Sequence, residues 1–191
     1  MAWSEQHKQR SREKILTTAA GLFARQGFDN VSIDQVMQAA GMTRGAFYAH
    51  FSSKTGLYAE AILHAANGSG DDFLPESNAT AEQREAFIRA YLSETHCQGG
   101  SIHCPLAFLV SDMAHQDEGV RSTWSQVFQG LVKRMAKGEA GTPEEQQAAL
   151  RSVVMMIGGV AVARALGDQA LASEVLEACR SDLLKAAVAD S

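Results

Sequence analysis

Between Ser32 and Leu57 the chain reads SIDQVMQAAGMTRGAFYAHFSSKTGL, and this run restricts the fold more than any other stretch. It spells two short helices around a tight turn, followed by the start of a third. Ser32 can cap the first helix, with Gln35 as its capping-box partner. Ile33, Val36, Met37 and Ala40 give that helix one apolar face. Gly41 suits a left-handed cap, Met42 and Thr43 complete the turn, and Thr43 can cap the next helix. That second helix, Arg44 to His50, places Phe47 and Phe51 on one side, where both read as core. A helix, a glycine-containing turn and a helix form the helix-turn-helix pattern, whose second helix enters the major groove of DNA.

These residues resemble the DNA-binding signature of the TetR family of bacterial transcriptional regulators. The similarity rests on the Ser32 cap, the Ala40-Gly41-Met42-Thr43 turn, Gly45, the run Phe47-Tyr48-Ala49-His50-Phe51, and Lys54 followed by Leu57. It covers about the first third of the chain; the remainder is similar only in length, helical content and layout. The expected fold is all-α. An N-terminal helix-turn-helix domain of three helices, residues 1–54, is followed by a helical effector-binding and dimerisation domain, residues 55–191.

Charge distribution agrees with a polyanionic partner. The 191-residue chain carries a net charge of −5, which alone would disfavour DNA. Residues 1–54, however, hold seven Lys or Arg against four Asp or Glu, leaving +3, and the rest of the chain carries −8. A basic head on an acidic body orients a molecule on DNA and makes its affinity salt-dependent.

No strand-like alternation or internal repeat is visible, and 46% hydrophobic residues with three prolines favour a helical globule. Nine helices are expected. They run from Ser4 to Gln26, from Ser32 to Ala40, from Arg44 to His50, from Ser53 to the Gly68-Ser69-Gly70 break, and from Thr80 to Gly99. The sixth begins at Cys104-Pro105, and the others span Asp117 to Lys137, Thr142 to Leu166 and Ala170 to Val188. No apolar run is expected to be long enough for a bilayer, and Met1 to Arg12 lacks the apolar centre of an export signal. A cytoplasmic protein without a membrane partner is expected. Three cysteines without such a signal argue against a disulfide framework.

Candidate DNA contacts follow from the motif. Thr43, Arg44, Gly45 and Ala46 open the recognition helix, where base edges are reached. Arg44 can grip a guanine bidentately, and Ala46 can meet a thymine methyl. The resemblance implies phosphate contacts for Tyr48 and His50. Lys54 opens the following helix, whose N-terminus also favours phosphate. Ser32 caps and can also donate to phosphate. Lys8, Arg10 and Arg12 are either an arm that follows the minor groove or a plain charged end.

The last two helices are apolar on more than one face, which demands burial on several sides. A homodimer would supply it, with Ile157, Ala161, Val175, Cys179 and Leu183 as interface candidates; sealing the monomer core is the alternative. A palindromic double-stranded operator would match such a dimer. The resemblance further implies a pocket for a small apolar or aromatic effector, with His64, Phe87, Tyr91, Cys104, Phe108, Trp124, Phe128 and Met155 as candidate lining. Each of these is also an ordinary core residue type.

The segment His96-Cys97-Gln98-Gly99-Gly100-Ser101-Ile102-His103-Cys104 admits three readings. A helix start at Pro105 can lower the Cys104 pKa and make it a sensor of oxidants or electrophiles, the alternative to a non-covalent effector. The His-Cys pairs are ligand types for zinc or copper. The plainest reading is a small cap beside exposed histidines. No metal, cofactor or enzymatic step is assigned: no phosphate-binding glycine loop, paired carboxylates or Ser-His-Asp arrangement has local support.

Overall fold

The computed structural model describes residues 5–68, 79–99, 104–136 and 142–189. All regular structure among them is helical. The elements are α1 (Glu5–Gln26), α2 (Ile33–Ala39), α3 (Arg44–Phe47), α4 (Lys54–Gly68), α5 (Ala81–Tyr91), α6 (Glu94–Cys97), α7 (Pro105–Phe108), a 3₁₀ turn (Met113–His115), α8 (Glu118–Met135), α9 (Pro143–Ala165) and α10 (Gln169–Ala189). Ten α-helices therefore stand among the described residues where nine were expected. The extra one arises at Ser93, which interrupts the expected run from Thr80 to Gly99. Its hydroxyl donates to the Ala90 carbonyl (2.7 Å) and accepts from the His96 amide (3.1 Å). Serine competes with the helix for backbone partners and restarts it as α6. Ser69, Gly70, Gly100, His103 and the stretch 137–141, named above as breaks or candidates, lie outside the described residues.

Helix starts follow local chemistry. Ser32 with Gln35, Thr80 with Gln83 and Thr142 with Glu145 each form a complete capping box, and Pro143 occupies the first turn of α9. Asp117 caps α8 through the Val120 amide (2.9 Å). Glycine at positive φ closes both helices that flank the first turns of the chain: Gly27 (φ +75°) ends α1 and Gly41 (φ +67°) ends α2. At the latter, the Met42 amide reaches back to Met37 O (2.8 Å) and Gly41 N to Gln38 O (3.0 Å), closing the helix as a Schellman cap does. Thr43 has the extended backbone of a cap residue, but its hydroxyl makes no capping bond. α3 starts at Arg44 as expected but spans four residues and continues to His50 as turn, where the Ala49 and His50 amides reach only three residues back, to Ala46 O (3.3 Å) and Phe47 O (2.9 Å).

Two apolar cores result. The first joins α1, α2, α3 and α4 through Ile15, Phe23, Val36, Phe47, Phe51, Leu57 and Tyr58, and takes in Leu109, Met113 and Val120. The second joins α5 to α10 through Phe87, Tyr91, Leu92, Leu106, Val153, Met156, Val160 and Leu176. Phe108, Trp124 and Val127 pack against both and tie the two together. The expectation that no apolar run has spanning length needs correction: α9 is long and apolar enough to cross a membrane by composition. In the fold it is instead the central strut of the second core, packed on α7, α8 and α10.

Candidate DNA-binding surface

The first core holds α2 and α3 from behind and leaves one face of the pair in solvent. Phe47 and Phe51 are core, as expected from their spacing. Thr43, Arg44, Gly45 and Tyr48 are exposed, and Ala46 is half-buried beside them. Tyr48 stands with 60% of its surface free, its ring edge-on to Phe47 at 5.2 Å. A Cβ built on Gly45 would meet only the Thr43 hydroxyl, at 3.9 Å. Packing does not require glycine there, so the space in front of it is available to a partner.

Arg44 does not hang free. Its guanidinium donates to Asp34 at 2.7 Å across the helix-turn-helix, and both side chains remain exposed. Hydrogen bonding with Tyr48 and the charge of Asp34 hold the guanidinium protonated even above its ordinary range. The Asp34 pairing was not foreseen. The two residues lie ten apart and meet only because the Gly41 turn folds α3 back on α2, which no helical periodicity reveals.

Ser32 spends its hydroxyl on the Gln35 amide (3.2 Å) and is exposed. His50 is half-buried; burial first, then the nearby Lys8 and Arg12 charges, push its pKa below the usual histidine value. It is neutral at neutral pH in the free protein. Lys54, the first residue of α4, lays its ammonium over the Phe28 ring, 4.1 Å from the centroid. Lys8, Arg10 and Arg12 belong to the first turns of α1 and form no separate arm. Arg12 pairs with Glu60 of α4 and covers Phe51, 5.1 Å from its centroid, so it is a brace within the head.

The tentative effector residues largely meet. Phe87, Tyr91 and Cys104 are buried in the second core, with Phe108, Trp124, Phe128 and Met155 packed around them. Trp124 and Phe128 stack at 5.7 Å, and the Trp124 indole donates to Pro105 O (3.2 Å). His64 is not part of this group. It sits on α4 with Nε2 2.8 Å from the Thr17 hydroxyl of α1. A small apolar cavity occurs elsewhere, between α1, α4 and α7, lined by Phe23, Tyr58, Ile62, Pro105 and Leu109.

Of the three readings of the segment, the lowered-pKa sensor at Cys104 does not hold. Its sulfur is buried 3.1 Å from the Tyr91 hydroxyl, and burial raises its pKa above the ordinary thiol value. The helix it precedes has four residues, too short for its dipole to offset desolvation. Burial likewise raises Cys97 and Cys179. His96 is buried too, Nδ1 2.5 Å from Tyr91 O and its ring stacked on Phe108 at 5.6 Å. The exposed-loop reading fails for His96, and among the described residues no three His, Cys, Asp or Glu side chains gather as a metal site.

Of the interface candidates, Ile157 and Leu183 are buried within the chain itself. Ala161, Val175 and Cys179 are half-buried. Among the described residues of α9 and α10, the large apolar side chains that face solvent are Leu150, Val154 and Val162 on α9, with Leu171 at the start of α10. Gly158 lies between Val154 and Val162 with open space in front of it.

Three comparisons place this arrangement among known proteins. The sequence profile described as "Bacterial regulatory proteins, tetR family" matches residues 15–61, from the middle of α1 into α4. The HTH-type transcriptional regulator AcrR of Shigella flexneri is 42% identical over 57 residues, which cover 30% of this chain and 26% of that protein. The HTH-type transcriptional regulator LmrA of Bacillus subtilis (strain 168) is 25% identical over 187 residues, 92% of this chain and 97% of that protein. In fold, the chain superposes on a TetR-family transcriptional regulator from Agrobacterium tumefaciens with a TM-score of 0.71. That alignment has 21% identity and covers 93% of this chain and 97% of the other.

Proposed function

Because the chain belongs to the TetR family of DNA-binding transcriptional regulators, we propose that it is a repressor which binds a palindromic operator as a homodimer and is released by a small apolar or aromatic effector. Residues 1–54 are the reading head and residues 55–191 the effector and dimer body, with α4 packed into the core of the head. The observation that carries the reading is the solvent-facing group Thr43, Arg44, Gly45, Ala46 and Tyr48 on a tightly packed helix-turn-helix. Arg44 reads a base, Tyr48, His50 and Lys54 meet phosphates, and Ser32 holds the α2 start against the backbone. DNA places the work in the cytoplasm.

The apolar stripe of Leu150, Val154 and Val162, with Leu171, supports dimerisation, since large apolar side chains are left exposed along one line. The aromatic second core, from Phe87 to Met155, supports the choice of an apolar effector. A thiol-based release through Cys104 is less favoured, because its sulfur is shielded and protonated.

Binding to duplex DNA flanking its own gene, measured by gel shift alongside sedimentation, tests the proposal. The expected result is a saturable complex of two chains per site that competitor DNA does not displace. Binding indifferent to sequence, or by single chains, would overturn it.

A further inference from the structure

The end of α1 is finished by the body of the protein and not by the head. The last regular bond of that helix runs from Gly27 N to Phe23 O (2.8 Å). The next pair in the ladder would be Phe28 N with Ala24 O, but Gly27 turns the chain away at φ +75°. Both groups of that broken pair are taken up by residues beyond position 100. The Phe28 amide donates to Asp112 Oδ2 (2.8 Å), in the loop after α7. The Ala24 carbonyl accepts from Arg164, near the end of α9 (3.3 Å). An anion on the freed amide and a cation on the helix-end carbonyl are the charge signs these groups prefer.

Each grip is itself held in place. Asp112 also accepts from the Tyr58 hydroxyl of α4 (3.3 Å), so it engages both the α1–α2 turn and the helix packed into the core of the head. A Cβ at position 27 would come within 3.3 Å of both Asp112 carboxylate oxygens. Arg164 donates to Cys97 O (2.7 Å), and its guanidinium lies flat on Phe108, 3.7 Å from the centroid. Phe108 in turn stacks on His96. The two grips therefore tie the α1–α2 turn to the loop after α7 and to the end of α9.

We propose that Asp112 and Arg164 are positioning residues that fix the angle of the reading head on the body, and through it the half-site spacing that the dimer accepts. The spacing role rests on the functional reading above; the angle does not. Neither residue faces DNA. A head loosened at this turn still presents Arg44 and Tyr48 intact, so base preference within one half-site is kept. What is lost is the penalty for half-sites set at the wrong distance, which in a dimeric reader follows from its fixed geometry.

The test uses the full chain with Asp112→Ala, Arg164→Met, and Asp112→Asn, which keeps an acceptor for Phe28 and Tyr58. Spin labels on ketone side chains introduced at the exposed positions Gln38 (α2) and Gln126 (α8) report the head-to-body distance, with labelled chains diluted into unlabelled ones. Wild type and Asp112→Asn should give one narrow distance, and the Ala and Met variants a broad distribution. Half-sites selected from random duplexes are then set at the preferred spacing and one or two base pairs either side. The Ala and Met variants should bind a single half-site like wild type, yet lose about tenfold of the spacing preference, as expected for one charged hydrogen bond. Narrow distances in both variants would overturn the positioning role, and an unchanged spacing preference with broadened distances would overturn its link to DNA. Should wild type select no paired half-sites, the functional reading fails, and the label distances alone decide whether the head is held.

Discussion

If Arg44 reads a base as proposed, its ion pair with Asp34 tunes how it does so. Solvent screens an exposed pair of this kind, so its value to the fold is small. Its consequence is for reading: the guanidinium fork is held near the α3 start and partly neutralised before DNA arrives. Arg44→Ala should cost about 1–3 kcal/mol per half-site and relax base preference. Asp34→Asn frees the fork for phosphate, so general affinity should rise and discrimination fall. Competition between selected and scrambled duplexes measures both, and equal discrimination by wild type and Arg44→Ala would remove Arg44 from base contact. His50 gives a pH signature. It is neutral in the free head because burial, Lys8 and Arg12 depress its pKa, and a neighbouring phosphate would raise it. Protonation then accompanies DNA binding, and affinity should climb as pH falls through and below 6.5, with a slope of at most about one proton. For the free protein the sign is reversed. The depressed pKa means the unfolded chain takes up the proton more readily, so this group's contribution is present above 6.5 and fades in acid. His50→Gln should flatten the affinity profile; an unchanged slope would show that the proton goes elsewhere.

At the scale of elements, Gly41 and Gly45 separate two uses of glycine. Gly41 has a backbone only glycine adopts easily, so Gly41→Ala should lower stability by about 1–2 kcal/mol. Gly45 is not at a positive φ and has room for a methyl, so Gly45→Ala should melt like wild type yet bind DNA more weakly. Thermal melting and gel shifts on the two variants check this contrast, which a loss of DNA affinity without stability change at Gly41 would contradict. The caps and apolar faces were legible because they are local: Ser32 with Gln35, Thr80 with Gln83 and Thr142 with Glu145 sit three residues apart, and Val36 with Ala40, and Leu57 with Ala61, repeat at helical spacing within one stretch. What escaped was non-local or competitive. The Asp34–Arg44 and Asp112–Phe28 contacts depend on how turns fold back. The shortening of α3 lies at its far end, where amides turn to carbonyls three residues back. For Cys104 a correct local rule lost to burial, which sequence spacing does not reveal. Its pKa is raised, so iodoacetamide at neutral pH should modify native Cys104 no faster than Cys97 or Cys179, with all three becoming reactive on unfolding.

For the whole molecule, the +3 charge of residues 1–54 and the −8 of residues 55–191 suit the proposed orientation on DNA, and the proposed pairing of two chains depends on which apolar groups remain uncovered. Ile157 and Leu183 already serve the chain's own core, so substituting them would unfold the protomer and say nothing about assembly. Val154 and Val162 are different. They are 55% and 50% exposed in the single chain, so a charge there costs the isolated protomer little. Placed face to face with a second copy across a two-fold axis, the same charge would be buried against its own image, a desolvated like-charge pair that costs several kcal/mol. Val154→Glu should therefore keep helical content and melting behaviour close to those of a folded chain while sedimenting as a monomer. Operator affinity should fall steeply, because each head then binds its half-site alone. Val175→Glu, on half-buried ground, should disturb folding as well as assembly. A folded Val154→Glu protein that stays dimeric would move the interface off the α9 stripe, and Leu171→Glu would then test whether α10 alone carries it.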